Sequence, residues 1–229
     1  MHILNKYIYP TFERNTDSKG RRVYLCPKTH KYIHSVTTIL GETSDHAFLE
    51  EWKKRIGVKQ AEREGKEASE LGTLMHEMLE EYVVNGTPIP NYSNAIYKIA
   101  QLQANAIVNK GVINVQEVWG CEARLYMEGL YAGTSDLIGT FKGVPSIMDY
   151  KNTKKPKKLE YIKGYQLQLA AYAIAHNQLY DTNINQGVLF IADRTGGYQE
   201  FVFNGKEFDT LKDEWIETLY TFYRNEGVI

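Results

Sequence analysis

The chain has 229 residues, 43% of them hydrophobic, with a formal net charge of −1 and two cysteines. Its length suits one α/β domain, residues 1–229, with a sizeable core, and its charge excludes a global basic field that would draw it onto nucleic acid. Cys26 and Cys121 form no Cys-x-x-Cys pair; they are too few for a thiolate zinc site or an iron–sulfur cluster and give no sign of a secreted disulfide fold. No apolar run reaches membrane-spanning length, and the first six residues match neither a signal peptide nor an Arg-rich transit sequence. A soluble intracellular protein is the expectation.

In chain order, Arg22–Leu25 and residues 31–33 alternate around Cys26-Pro-Lys-Thr-His30 and predict a small hairpin. Ser35 then caps a short helix, residues 36–40, that stops near Gly41. Ser44 and Asp45 cap another, through Trp52 to Ile56. Residues 58–84 have a helical pattern, polar at first (Glu62, Arg63, Glu64, Lys66, Glu67) and interrupted by Gly65 and Gly72. Two helices or one broken helix are expected there, with the polar part partly exposed. Residues 91–110 predict a helix with Ile96, Ile99, Ala100, Leu102, Ala106 and Ile107 as apolar positions. Strands follow at 112–125, 130–141 and 146–151, joined by turns at Glu128-Gly129 and Lys142-Gly143. A helix at 164–179 leads to strand Gln186–Asp193, a hairpin at 194–197 and a strand at 198–203. An amphipathic helix, residues 208–224, closes the chain on a stripe of Leu211, Trp215, Leu219 and Phe222. No repeat, low-complexity segment or linker divides it.

The chemistry is concentrated between Gly133 and Lys151. Asp136 ends one β-run, and a hairpin later Asp149-Tyr150-Lys151 lies on the next. Two carboxylates and an amine at the rim of adjacent strands suit a hard divalent cation such as Mg²⁺ or Mn²⁺. A lysine beside such an ion helps orient or deprotonate a water and neutralises charge on a phosphate. Asp-x-Lys alone is common and reads as solvated hairpin charge. Further features shift the balance. His76 and Glu80 share one face of a helix, Gln168 and Tyr172 share a face of a later one, and Glu122 lies in the strand before Asp136. Taken singly, His76 would default to a core histidine, Gln168 and Tyr172 to helix packing, and Glu122 to a strand salt bridge. Lys154, Lys155, Lys157 and Lys158 directly follow the Lys151 strand. Alone they read as a solvated loop; beside this site they read as a phosphate track. Seventeen tyrosines offer rings for stacking unpaired bases, though most read as core or rim.

With these residues in that order, the chain resembles the PD-(D/E)xK nuclease superfamily, RecB-type branch, and within it most resembles the mitochondrial genome maintenance exonuclease group and its bacterial and phage relatives. The resemblance begins at Ser35-Val-Thr-Thr-Ile-Leu40 and continues through Phe48-Leu-Glu-Glu-Trp52 and the His76 helix. It is closest over Asp149-Tyr-Lys-Asn-Thr-Lys-Lys-Pro-Lys157, Leu167-Gln-Leu-Ala-Ala-Tyr172 and His176-Asn177, and it ends at Gly187-Val-Leu-Phe-Ile-Ala192. His34 stands where relatives often have proline, and Tyr150 and Asn152 replace the usual Trp and Thr.

The resemblance implies a restriction-endonuclease-like core, an αβββαβ mixed sheet flanked by helices, with an N-terminal helical and hairpin extension. It implies Asp136, Asp149, His76 and the Tyr150 backbone carbonyl as ligands of Mg²⁺ or Mn²⁺. Lys151 would lie near the attacking water, Gln168 would hold Lys151 or that water, and Tyr172 would contact phosphate or support the network. Glu80 and Glu122 are possible outer-shell groups. Ser35, Thr37, Asn152 and the four loop lysines are the DNA-contacting candidates, Ser35 serving also as a helix cap. Several RecB-type nucleases carry a four-cysteine iron–sulfur cluster, which two cysteines cannot form. The implied activity is a metal-dependent DNA exonuclease acting on single strands or flaps with free ends, in replication, recombination or repair. A structure-selective endonuclease and a catalytically quiet DNA-binding subunit are the alternatives; the intact Asp–Asp–Lys–Gln set argues against the latter. Without a mitochondrial presequence, the natural setting is the cytoplasm of a bacterium or a phage-infected cell.

Overall fold

The structure, a computed structural model, describes residues 2–4, 6–45 and 47–228. Met1 and Asn5 of the N-terminal segment, and the side chains of Phe48 and Leu49 in the motif before Trp52, lie outside the described residues. In chain order come strands β1 (His2–Ile3), β2 (Arg14–Thr16), β3 (Arg22–Leu25) and β4 (Tyr32–Ser35), then helices α1 (Val36–Thr43), α2 (Ala47–Ile56), α3 (Val58–Asn85) and α4 (Ala95–Lys110). Strands β5 (Val115–Met127), β6 (Tyr131–Phe141) and β7 (Val144–Thr153), helix α5 (Lys163–Tyr180), strands β8 (Gln186–Asp193) and β9 (Tyr198–Asn204), and helix α6 (Gly205–Asn225) complete the chain.

Alternating apolar residues build the sheet and divide its two faces. In β7, Ile147 packs with α5 and α6, and Met148 with α3 and α4; in β8, Leu189 goes to the first side and Val188 and Phe190 to the second. All eight residues of β8 are buried, as a central strand covered on both faces requires. β5, β6 and β7 form an antiparallel meander, turned by Gly129 and by Lys142-Gly143 at positive φ. α5 then crosses over so that β8 pairs parallel with β7, the connection a parallel neighbour demands. The result is a mixed α/β fold: a central mixed sheet flanked by helices, with the expected αβββαβ order through its middle.

The N-terminal hairpin joins this sheet as an extension, β4 pairing parallel with β6 and β1 parallel with β5. Leu211, Trp215, Leu219 and Phe222 of α6 are buried as the stripe predicts. Four local expectations are corrected. α3 runs unbroken for 28 residues: a Cβ at Gly65 would meet open space and at Gly72 only the Asn152 side chain, so neither glycine marks a bend. The helix ends instead at Gly86, in the left-handed conformation. α1 passes Gly41 to Thr43. α4 begins at Ala95, where Asn94 Oδ1 accepts from the Ile96 N–H at 3.0 Å. Residues 112–114 form a 3₁₀ turn before β5 rather than its first residues. Among the described residues, no helix is long and apolar enough to cross a membrane.

Candidate active site

The site opens where β6 changes partners. One edge of β6 runs along β5; the other pairs with β4 at Tyr131 and Ala132, then with β7 from Leu137 onward. Residues 133–136 lie in the gap between β4 and β7. The registers Cys121–Leu137, Ala123–Ser135 and Leu137–Met148 carry Glu122, Asp136 and Asp149 to neighbouring positions on three adjacent strands. At Asp149 the β6–β7 ladder stops, and the next N–H, of Tyr150, donates to Asp136 Oδ2 at 2.7 Å. In β5 the alternation slips at the same row. Cys121 packs toward α3 and α4, while Ala123 and Leu125 pack toward α5. Glu122 between them has φ of 48°, a left-handed backbone that re-aims a strand side chain.

His76 reaches this row from α3. Its Nδ1 lies 3.7 Å from both Glu122 Oε1 and Asp136 Oδ1, and its Nε2 lies 3.1 Å from the Tyr150 carbonyl oxygen. Ligand-capable atoms of His76, Glu122 and Asp136 fall within 4.8 Å of one another. One imidazole nitrogen with carboxylate oxygens is a donor set suited to Mn²⁺ or Mg²⁺. Burial works to lower the His76 pKa, yet Asp136 and Glu122 outweigh it and push it up to about 9. The carboxylates thus hold a positive charge at the point where a divalent cation would supply one, so these residues fit such an ion.

Asp149 stands next in the row. Its Oδ1 accepts from Gln168 Nε2 at 3.1 Å, and its Oδ2 pairs with Lys151. Gln168 Nε2 also lies 3.4 Å from the Tyr172 hydroxyl. Burial, with Asp136 beside it, pushes the Asp149 carboxyl above its ordinary value against the pull of Lys151. Burial works to lower the Lys151 ammonium, but Asp149 and Asp136 prevail and hold it above its ordinary value. The ammonium sits 5.2 Å from the centre of the Tyr165 ring. Gly133 lets Tyr172 close the floor of the site, because a Cβ there would lie 2.7 Å from the Tyr172 ring and hydroxyl.

The structure therefore gathers His76, Asp136, Asp149, Lys151, Gln168, Tyr172 and the Tyr150 carbonyl, with Glu122 among the converging donors. Glu80 is exposed and outside that group; burial, then Glu122, pushes its carboxyl upward. Ser35 caps α1, its Oγ accepting from the Thr38 N–H at 2.9 Å with the Thr37 hydroxyl 3.0 Å away. Both residues line a cavity of about 210 Å³ shared with Glu122, Asp136, Gln168 and Tyr172. Asn152 donates to the Ala68 carbonyl at 2.8 Å and ties β7 to α3.

The lysine loop faces elsewhere. Lys154, Lys155 and Lys157 line a separate cavity of about 750 Å³ with Trp52, Arg55 and Tyr161. Lys154 pairs with Glu64 at 3.2 Å and Lys158 with Glu160 at 3.7 Å. Sequence reasoning missed Arg14, Arg22 and Tyr24, which line the Asp136 cavity. Arg22 and Tyr24 fall in a predicted hairpin strand, but nothing in their spacing says that this hairpin docks on β6.

Fold and site together define a mixed α/β protein with a candidate cation centre and an adjoining Asp–Lys pair. No family model matches the chain. It is similar to mitochondrial genome maintenance exonuclease 1 of Homo sapiens, 25% identical over 181 residues, covering 74% of this chain and 52% of that protein. It is likewise similar to the Mus musculus protein of that name, 26% identical over 205 residues, covering 81% and 57%. The chain thus spans about half the length of the relatives it matches. Among solved structures, an Eubacterium rectale protein whose exonuclease assignment is provisional aligns with a TM-score of 0.49 at 15% identity, covering 71% of this chain and 69% of that one.

Proposed function

We propose that the chain is a metal-dependent deoxyribonuclease of the PD-(D/E)xK type, acting as an exonuclease on single-stranded DNA or flaps with free ends. One observation carries the reading: His76, Glu122 and Asp136 converge within 4.8 Å beside a buried Asp149–Lys151 pair. The names of the similar proteins, both exonucleases, supply the exonuclease and DNA parts of it. His76, Glu122 and Asp136, with Asp149 alongside, would hold Mg²⁺ or Mn²⁺. When bound, such an ion acidifies a water and neutralises phosphate oxygens.

The chain's own residues do the positioning. The Tyr150 N–H fixes one oxygen of Asp136 and leaves the other facing His76. Gln168 holds Asp149 and so sets the direction from which Lys151 is anchored. Lys151 places a positive charge at the edge of the carboxylate row, where it stabilises charge developing on the phosphate and hydrogen-bonds the attacking water. Tyr172, its hydroxyl near Gln168, closes the floor beneath the strand. The deciding experiment digests end-labelled linear and closed circular single-stranded DNA with Mg²⁺, with Mn²⁺ and with EDTA. Linear strands are expected to be degraded with either ion, and circles and EDTA samples to survive. Cleavage in EDTA would overturn the metal assignment, and rapid loss of circles the exonuclease one.

A further inference from the structure

We propose that Arg14 and Arg22 form a backbone clamp for the substrate strand, gripping the phosphodiester next to the scissile one on the hairpin side of the site. The inference rests on the nuclease reading above and adds to it a second point of contact that no motif identifies. Arg22 and Tyr24 are two apart in β3 and share a face, and Arg14 of β2 is paired with Tyr24. The β3–β4 register pairs Val23, next to Arg22, with His34, next to Ser35, and Ser35 pairs with Ala132 of β6. The hairpin's basic face is thereby carried to the mouth of the β6 gap. Arg14 and Arg22 line the same cavity of about 210 Å³ as Glu122 and Asp136.

Placement and partnering together mark these two, the arginines that line this cavity. Arg21 is held by Asp17 and Glu226, and Arg194 by Glu67. Arg14 and Arg22 are exposed, and among the described residues neither guanidinium makes an ion pair. Two uncommitted forks beside an acidic centre are suited to an external anion, since a guanidinium binds phosphate oxygens in a bidentate fashion. They lie on β2 and β3, and His76 reaches the carboxylate row from α3, so the contact assigned to them is a phosphate next to the scissile one. The contact is to backbone alone: Tyr24 and Tyr172, the rings in this cavity, are 3% exposed each and offer no face for a base to stack on. The clamp is therefore blind to sequence.

The test measures binding of a fluorescent single-stranded oligonucleotide in Ca²⁺ across a salt series, and cleavage in Mg²⁺, for the parent, R14Q/R22Q, R14K/R22K and a control, K98Q/K110Q. The control removes the same charge from α4, outside this cavity. R14Q/R22Q is expected to bind on the order of tenfold more weakly, with a log–log salt slope shallower by about 1.4, two single-strand phosphate contacts' worth. Turnover at saturating substrate stays within about twofold of the parent's. R14K/R22K, which keeps charge and loses the fork, regains the slope but only part of the affinity. Parental affinity and slope in R14Q/R22Q, or an equal loss in the control, overturns the clamp while the nuclease reading stands. A parent that neither binds nor cuts DNA overturns both. Circular dichroism of each variant separates lost contact from lost fold.

Discussion

The carboxylate row has a basic group on each flank, and the two are built by opposite routes. The lysine loop follows Lys151 directly in the chain, yet Lys154, Lys155 and Lys157 open into a cavity with Trp52 and Arg55 that excludes Asp136. Arg14 and Arg22 lie more than a hundred residues before Asp136, yet line its cavity. The loop is fixed by local chemistry: Gln199 both donates to the Lys157 carbonyl and accepts from its N–H, and Glu64 holds Lys154. The hairpin joins the sheet through a short parallel pairing, β4 on β6, and packs Tyr24 and Ile33 against Tyr126 and Ala132. Nearness in sequence and nearness in space part company here. Charges engaged in ion pairs belong to the flank that sequence alone points to.

The largest expected effects come from the row itself and should be indifferent to either flank. Asp136→Asn removes a charge from the converging donors. It should lower turnover on the order of 10³-fold or more and weaken Mn²⁺ binding measured by calorimetry. Unchanged Mn²⁺ affinity would take Asp136 out of the ligand set. Lys151→Ala should cost roughly 10²- to 10³-fold in turnover while leaving Mn²⁺ affinity near parental, because the lysine acts on the transition state rather than on the bound ion. A Lys151→Ala protein that loses metal binding along with turnover would mean that the ion pair with Asp149 is holding the row together.

The loop lysines give a smaller effect and compare directly with the arginines. Replacing Lys154, Lys155, Lys157 and Lys158 by alanine should weaken single-strand binding without changing turnover. Lys154 and Lys158 already have carboxylate partners, so the salt slope should shallow by about 1.4, for two contacts, rather than by the roughly 2.8 of four. A slope matching the parent's would show that the strand does not run along this loop, leaving the hairpin as the one basic flank in contact. The full fourfold change would show that Glu64 and Glu160 release their lysines to DNA.

What the sequence made legible follows the same division. β8, an eight-residue buried run bounded by turn residues, and α6, with its Trp215 stripe at helical period, were readable from the apolar patterns that burial imprints on a chain. His76, Asp136, Asp149, Lys151 and Gln168 were readable as a set because their order along predicted elements is unusual. Glu122 was legible as a strand residue with an outer-shell role: its place among the converging donors depends on a left-handed φ in mid-strand, for which a glutamate gives no signal. β2, three exposed residues long, has no alternation to detect, so Arg14 was invisible. The continuity of α3 was misread because a glycine breaks a helix only where nothing else supports it, and α2, α4, β5 and β7 all pack against α3.

The smallest effect concerns the conditions under which the flanks can be compared. His176, on α5, is fully buried among Tyr7, Tyr9, Trp119 and Tyr180. Its Nε2 lies 3.1 Å from the Tyr9 hydroxyl and its Nδ1 2.8 Å from Thr182 Oγ1. Burial, aided by the charge of Lys6, pulls its pKa down to about 4. Between that value and the ordinary 6.5, the unfolded chain binds a proton that the folded chain refuses. The His176 contribution to stability therefore falls as pH drops through this window and levels off below it, opposite in sign to that of the raised Asp149 carboxyl. Each pH unit in the window costs at most about 1.4 kcal/mol, so the loss from pH 6.5 to 5.5 is on the order of 1 kcal/mol. Urea unfolding at pH 7.5, 6.5, 5.5 and 4.5 should show the parent losing stability by that amount relative to His176→Gln, whose side chain does not titrate, the Asp149 contribution being common to both. Equal slopes in the two proteins would assign the acid loss to other groups. Binding and salt slopes compared at one fixed pH above 6.5 then weigh the two flanks without the His176 contribution.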